Sequence, residues 1–238
     1  MTSRRWIADE VSNNRAALTG EHAVHLARVL RARLGQDFDI ATGDSIRRGR
    51  IISVTDNRVE FELGEEIFSE QSAEITLLLA IFKFDRMEWA IEKCTELGVS
   101  QIIPVIARRT DSHLAAAATK RVERWLRIAH QASEQSRRAT LPQINVPIKL
   151  SNALAFDATL RIVLSESEKT TALGDVKPDT ANKKVALAVG PEGGWTEEEL
   201  KSFQQAGWLS ASLGDTILRA ETAAIAATAI VASALRVR

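Results

Sequence analysis

The apolar positions of this chain follow two regimes, and the change between them falls near residue 73. Before it, short segments alternate apolar and polar residues: "RRWIA", "DFDIATGD", "RGRIISVTD" and "RVEFEL", with turn formers between them. A period of two turns one face of a strand toward a core, so these segments predict short β-strands arranged as a small barrel. One segment differs. In "EHAVHLARVLRARLG", Val24, Leu26, Val29, Leu30 and Leu34 recur at mostly helical intervals, with Thr19 ahead as an N-cap and Gly35 behind as a stop. That predicts a helix over most of the stretch.

Beyond residue 73, "AEITLLLAIF" is an unbroken apolar run, as a strand covered on both faces of a parallel sheet requires. "DRMEWAIEKCTELG" has helical spacing and stops at Gly98. "VSQIIPVIA" follows as a strand, and "TKRVERWLRIAHQASEQSRR" as a long helix ending before Pro142. "LRIVLSE", "KKVALAVG" and "LSASLG" are further strands, and helices begin near Thr196 and Ala220. The polar segment 168–182 predicts a surface loop. Strand and helix alternate, so residues 73–238 predict an α/β domain with a largely parallel sheet, following a β-rich domain at 1–72.

Composition leaves the class ordinary: 45% hydrophobic and 26% charged residues over 238 positions describe a soluble globular chain. The single cysteine, Cys94, excludes an intrachain disulfide and a thiolate metal cluster, and fits a reducing compartment. No apolar run reaches membrane-spanning length and "MTSRRWIADE" lacks a signal-peptide core, so a cytoplasmic protein with no membrane partner is expected. His22, His25, His113 and His130 show no metal-site spacing, and no metal is expected. The 31 basic and 31 acidic residues cancel, but arginines gather in residues 1–50 and basic residues in 108–140. Such faces suit a polyanion, and equally describe solvated helices.

Two stretches carry candidate chemistry. In "VGPEGGWTEEEL", an apolar strand ends in a glycine turn, and Thr196 with Glu199 forms a capping-box pattern at a helix start. The glycines permit close backbone approach to a ligand. The GK[ST] ending of a P-loop and the GxGxxG fingerprint are both missing, and Glu192 opposes a phosphate. Either a neutral or cationic ligand binds there, or the turn needs glycine for its geometry alone. In "SLGDTILRAETAAIAATAI", Gly214 again precedes a helix, at whose start stand Arg219, Glu221 and Thr222. Glu221 complements the helix dipole. Arg219, flanked by Ile217, Leu218 and Ala220, is expected to be partly buried and paired, and the alanines that follow allow close packing.

Together these stretches resemble the second and third cofactor loops of the SPOUT class of RNA methyltransferases, and within it the RsmE family. "KFDRMEWAIEKCTELGVSQIIPV" resembles that family's signature through Lys83, Arg86, Glu88, Lys93, Glu96, Leu97, Gly98, Val99 and Pro104. "WLRIAHQASEQSRR" resembles another motif through Trp125, Ile128, Glu134, Gln135 and Arg138, and the helix after Thr19 resembles that of the family's RNA-binding domain through His25, Leu26, Val29, Leu30, Arg31 and Gly35. The chain departs from the pattern at Arg108, Asp215, Thr216 and Ala220.

The resemblance implies a PUA-like β-barrel at 1–72, a methyltransferase domain with a deep trefoil knot at 73–238, and a homodimer. It implies S-adenosylmethionine held by three loops: Leu164 and Ser165; Val189, Gly190, Pro191, Glu192, Gly193 and Gly194; and Leu213, Gly214, Ile217, Leu218 and Thr222. Trp195 stands at the mouth of that site. The implied reaction is methylation of N3 of a uridine in the decoding region of 16S ribosomal RNA within the small subunit. Arg219 and Glu221 are the catalytic candidates. Arg4, Arg5, His25, Arg28, Arg31, Arg86, Glu134, Gln135 and Arg138 are the RNA-binding candidates. The alternatives are a SPOUT enzyme acting on another RNA such as tRNA, and a non-catalytic RNA-binding assembly factor.

Overall fold

The structure, a computed structural model, describes residues 5–43, 45–67, 74–136, 138, 140–178 and 184–235. It divides into two compact units, Met1–Ser72 with Ser133–Leu141, and Ala73–Ala132 with Pro142–Arg238. The division near residue 72 coincides with the change of apolar pattern. The grouping of 133–141 with the first unit has no counterpart in that pattern.

The first unit holds β1 (Arg5–Ile7), β2 (Glu10–Ser12), β3 (Arg15–Thr19), α1 (Gly20–Val24), β4 (Asp37–Ala41), β5 (Ile46–Val54) and β6 (Arg58–Ile67). The sheet order is β1-β4-β5-β6-β3-β2, parallel for β1 with β4 and antiparallel elsewhere. β1 and β2 stand at opposite ends of this order, yet only Ala8 and Asp9 separate them. Ala8 N–H bonds to the Ala41 carbonyl and Asp9 N–H to the Ala17 carbonyl, each at 3.0 Å, so the sheet curls until its two ends are joined by one chain segment. Trp6, Leu18, Ile40, Ile51, Phe61 and Leu63 fill the inside. Gly49 is needed there, because a Cβ at that position would lie 2.4 Å from Ile40 Cγ1. The β2–β3 hairpin escaped the alternation rule because β2 is exposed at all three positions.

The helix after Thr19 is much shorter than its apolar spacing predicts. α1 gives way to one π-helical turn, His25–Val29, and Arg31 adopts φ +51°. Ala23 and Leu26 are fully buried and Ala27 and Leu30 pack against the core in part, while Val29 and Leu34 are 64% and 68% exposed. Sheet pairing wins over helix here: Gly35 N–H donates to the Ile51 carbonyl and Ile51 N–H to the Gln36 carbonyl, both at 2.9 Å. Thr19 has extended N-cap geometry but makes no side-chain cap bond, and its own N–H goes to Asp9 Oδ2 at 2.7 Å.

The second unit contains β7 (Glu74–Ala80), α2 (Phe84–Glu96), β8 (Gln101–Ile106), α3 (Ser112–Ala118), α4 (Val122–Gln135), β9 (Gln143–Ile144), β10 (Ile148–Lys149), α5 (Leu150–Ala153), β11 (Leu160–Leu164), β12 (Lys184–Val189), α6 (Glu197–Gln205), β13 (Leu209–Ala211) and α7 (Ala220–Leu235). The last three residues of α4 count with the first unit. All seven strands run parallel, in the order β10-β8-β7-β12-β11-β13 with β9 also on β8. In β7, Leu77 and Leu79 enter one core with Ile91, Trp125 and Leu187, whereas Leu78 and Ala80 enter the other with Val105, Ala186 and Phe203. Two covered faces explain why the run is unbroken. Within 168–182, the expected loop contains a 3₁₀ turn, Leu173–Asp175, whose Leu173 is buried; positions 179–182 lie outside the described residues. Among the described residues, no helix is long and apolar enough to cross a membrane.

α7 buries Ala224, Ala227, Thr228 and Val231. Its small side chains let it lie close to α2, where Thr228 Oγ1 meets Cys94 Sγ at 3.5 Å. Burial pushes the Cys94 thiol up to about 12. Since the thiolate is the reactive form, Cys94 should resist an aromatic disulfide reagent at pH 8 in the native protein and react fully in denaturant. Rapid native reaction would contradict the α2–α7 packing.

Candidate active site

The carboxyl ends of β11 and β12, with the loop after β13, surround a cavity of ≈ 230 Å³. A site beyond the carboxyl ends of parallel strands is where such sheets place ligands. β11 contributes Leu164 and Ser165. The turn after β12 contributes Val189, Gly190, Pro191, Glu192 and Gly194, and the loop after β13 contributes Leu213, Gly214, Ile217 and Leu218. Three sequence-distant loops therefore meet in one wall. Gly193 and Thr222 do not line it: the Gly193 carbonyl accepts from Arg109 Nη1, and Thr222 is exposed on α7.

The glycine turn is shaped by its own contacts. A Cβ on Gly190 would press on the Trp195 indole at 3.3 Å, and Gly194 adopts φ +70°, a conformation other residues rarely take. Trp195 is 7% exposed and packs edge-on against Phe203 at 5.0 Å between centroids, so it is a fixed wall of the cavity. The capping box of α6 is complete: Thr196 Oγ1 accepts from Glu199 N–H at 3.2 Å, and Glu199 Oε2 accepts from Thr196 N–H at 2.8 Å. The second carboxylate oxygen, Glu199 Oε1, accepts from Arg108 N–H at 2.7 Å. One buried carboxylate thus ties the glycine turn to the loop after β8.

Sequence reasoning missed Arg109, Glu166 and Glu197 as cavity residues. Arg109 follows a parallel strand and Glu166 follows β11, so strand-end position was the available signal. With Glu192, the charged lining is three carboxylates and one guanidinium. That balance favours a cationic or neutral guest over a phosphate.

Arg219 corrects an expectation. It is exposed and has no ion pair among the described residues, although its neighbours Leu218 and Ala220 line the cavity. Its apolar neighbours therefore do not bury it. Glu221 is 2% exposed, does not line the cavity, and approaches Arg86 rather than Arg219, with Oε1 3.8 Å from Arg86 Nε. Arg86 also donates from Nη1 to Glu192 Oε1 at 2.8 Å, placing this RNA-binding candidate beside the glycine turn.

The other RNA-binding candidates lie in the first unit. Arg4 is outside the described residues, and Arg5 is partly buried in β1. Arg28 is paired with Asp56 at 2.8 Å, which holds its guanidinium above its ordinary value. His25 is exposed with its ring 5.9 Å from that of Trp6. Arg31 is exposed, without an acidic partner among the described residues. Glu134 lies 3.4 Å from His22 Nε2, and Gln135 is exposed. Arg138 is half-buried, and desolvation lowers it to about 10. Arg48, Arg50 and Arg58 pair with Asp39, Asp37 and Glu10, so much of the arginine excess is neutralised locally.

Comparison with known proteins agrees with this geometry. The sequence model of an RNA methyltransferase domain matches residues 69–232. Ribosomal RNA small subunit methyltransferase E of Rickettsia conorii is 32% identical over 91% of this chain and 89% of its own. The chain belongs to the ribosomal RNA small subunit methyltransferase E family. The crystal structure of that enzyme from Neisseria gonorrhoeae, bound to S-adenosylmethionine, is 31% identical with a TM-score of 0.81, covering 96% of each chain. A methyltransferase of Legionella pneumophila, also solved with bound cofactor, is 28% identical with a TM-score of 0.83 over 98% of each chain.

Glu199→Ala removes the acceptor of two backbone N–H groups and should lower unfolding stability by about 2–3 kcal/mol in a urea titration. An unchanged midpoint would mean the tie between the turn and the β8 loop carries no energy.

Proposed function

We propose that the protein transfers a methyl group from S-adenosylmethionine to N3 of a uridine in the decoding region of 16S ribosomal RNA, acting on the small ribosomal subunit. The observation that carries this reading is the three-loop cavity, walled by Gly190, Gly194 and Trp195 and rimmed by carboxylates, in a family member whose solved relatives bind that cofactor. Backbone groups of the glycine turn would hold the adenosine, and the acidic rim suits the sulfonium and ammonium charges.

Uridine N3 must lose its proton, to solvent water, before its lone pair can attack. The anion then forms an N3–CH₃ bond as the S–CH₃ bond breaks, the electron pair stays on sulfur, and S-adenosylhomocysteine leaves. A guanidinium near the base favours the anion. Arg219 suits this task because it is exposed between Leu218 and Ala220, which line the cavity, and has no acidic partner among the described residues. Alignment of N3 with the methyl carbon supplies further acceleration.

The same reading includes the finer points of architecture. The curled sheet would be a PUA-like barrel whose Arg5, His25 and Arg31, with Glu134, Gln135 and Arg138 from the end of α4, contact RNA. The path of β12 between β7 and β11, with β13 beyond β11, supports a knotted second domain. The enzyme would work as a cytoplasmic homodimer without a metal.

Labelled methyl transfer to small subunits lacking the modification tests this, beside naked 16S RNA and bulk tRNA, with the nucleoside identified by mass. Label in 3-methyluridine from subunits is the expected result; label in tRNA or none at all would overturn it. Arg219→Ala should lower turnover about a hundredfold with cofactor affinity kept within about threefold. Full turnover by that variant would remove the arginine from the mechanism.

A further inference from the structure

Arg86 sits in the first turn of α2, outside the cavity lining, yet it meets two carboxylates from two other elements. Its Nη1 bonds Glu192 Oε1 at 2.8 Å in the glycine turn, and its Nε lies 3.8 Å from Glu221 Oε1 in the first turn of α7. The Glu221 side chain is 3% exposed, and its Oε2 has no hydrogen-bond partner. A carboxylate in that position depends on Arg86, its one ion-pair partner among the described residues, since an uncompensated buried charge is costly.

We infer that Arg86 is a positioning residue that latches the second cofactor loop to the start of α7, with Glu221 as its buried anchor. This rests on the S-adenosylmethionine reading of the cavity. Glu192 lines the cavity on one side of the latch, and Ala220 and Ala223 line it on the other, flanking Glu221. The two walls approach each other only if the charges between them are compensated. Without Arg86, Glu192 and Glu221 confront one another as like charges, and the turn moves away from α7. Glu221 acts through Arg86 here. Its carboxylate does not reach the cavity, so it is not positioned to take the uridine proton.

The test separates this role from catalysis and from plain stability. Arg86→Met should raise the KM for S-adenosylmethionine about tenfold or more, while kcat at saturating cofactor stays within about threefold. Arg86→Lys, which keeps the charge but not the planar fork, should recover most of the affinity. Glu221→Gln should leave the pH profile of kcat unaltered, whereas loss of its acidic limb would restore Glu221 as a base and overturn the inference. If Arg86→Met loses its cooperative melt, Arg86→Gln and Glu192→Gln carry the test. Their combined effect on KM should be smaller than the product of the separate fold-changes, and full multiplicativity would overturn the latch. Wild-type KM in Arg86→Met would overturn it alone. Failure of the wild-type protein to bind S-adenosylmethionine in calorimetry would overturn the cofactor reading with it.

Discussion

The position of β12 between β7 and β11 is the constraint on which the second unit depends. Parallel pairing on both sides covers its backbone, from Lys184 opposite Glu74 to Val189 opposite Leu79, and leaves its side chains two buried faces. The chain leaves this central strand at its carboxyl end and must pass β11 to reach β13. The turn that starts this passage is the glycine turn, and the loop by which the chain leaves β13 again is the one carrying Leu213, Gly214 and Ile217. Both exits therefore open on the same side as the end of β11. A cavity at that point is a consequence of strand order, and the side chains decide what it accepts.

What they decide is chiefly electrostatic. Glu166, Glu192 and Glu197 outnumber Arg109 around the cavity, and Arg86 behind the glycine turn offsets part of that excess. Arg109 contributes less as a charge than as a brace, because its guanidinium bonds the Gly193 carbonyl. Glu199 works similarly from the other side, capping α6 while holding Arg108 N–H. The glycine turn is thus held by two ties from the β8 loop and one from α2, and its own residues keep their backbone open toward the ligand.

The parts legible in the sequence were those where one local rule governs one residue pattern. β7 was legible because two buried faces require an unbroken apolar run, and the α6 start because Thr196 and Glu199 can serve little else at that spacing. The segment after α1 was misleading: its leucines are spaced for a helix, but sheet bonds at Gly35 and Ile51 take the chain elsewhere. Flanking apolar residues said nothing about where the Arg219 side chain points, since burial of neighbours in a loop does not fix a side chain's direction. The partnership of Arg86 with Glu192 spans more than a hundred positions and no local pattern encodes it. Most of the predicted cofactor loops do line one cavity, because strand ends in a parallel sheet share an edge whatever their distance along the chain.

Three separated loops that form a single S-adenosylmethionine site must respond to the cofactor together. Hydrogen–deuterium exchange of the intact protein, with and without saturating S-adenosylmethionine, measures this directly. Added protection is expected in peptides covering Leu164–Ser167, Val189–Trp195 and Leu213–Ala220 together, at one common concentration of cofactor. Protection confined to one of these, or found mainly in the curled sheet of the first unit, would contradict it.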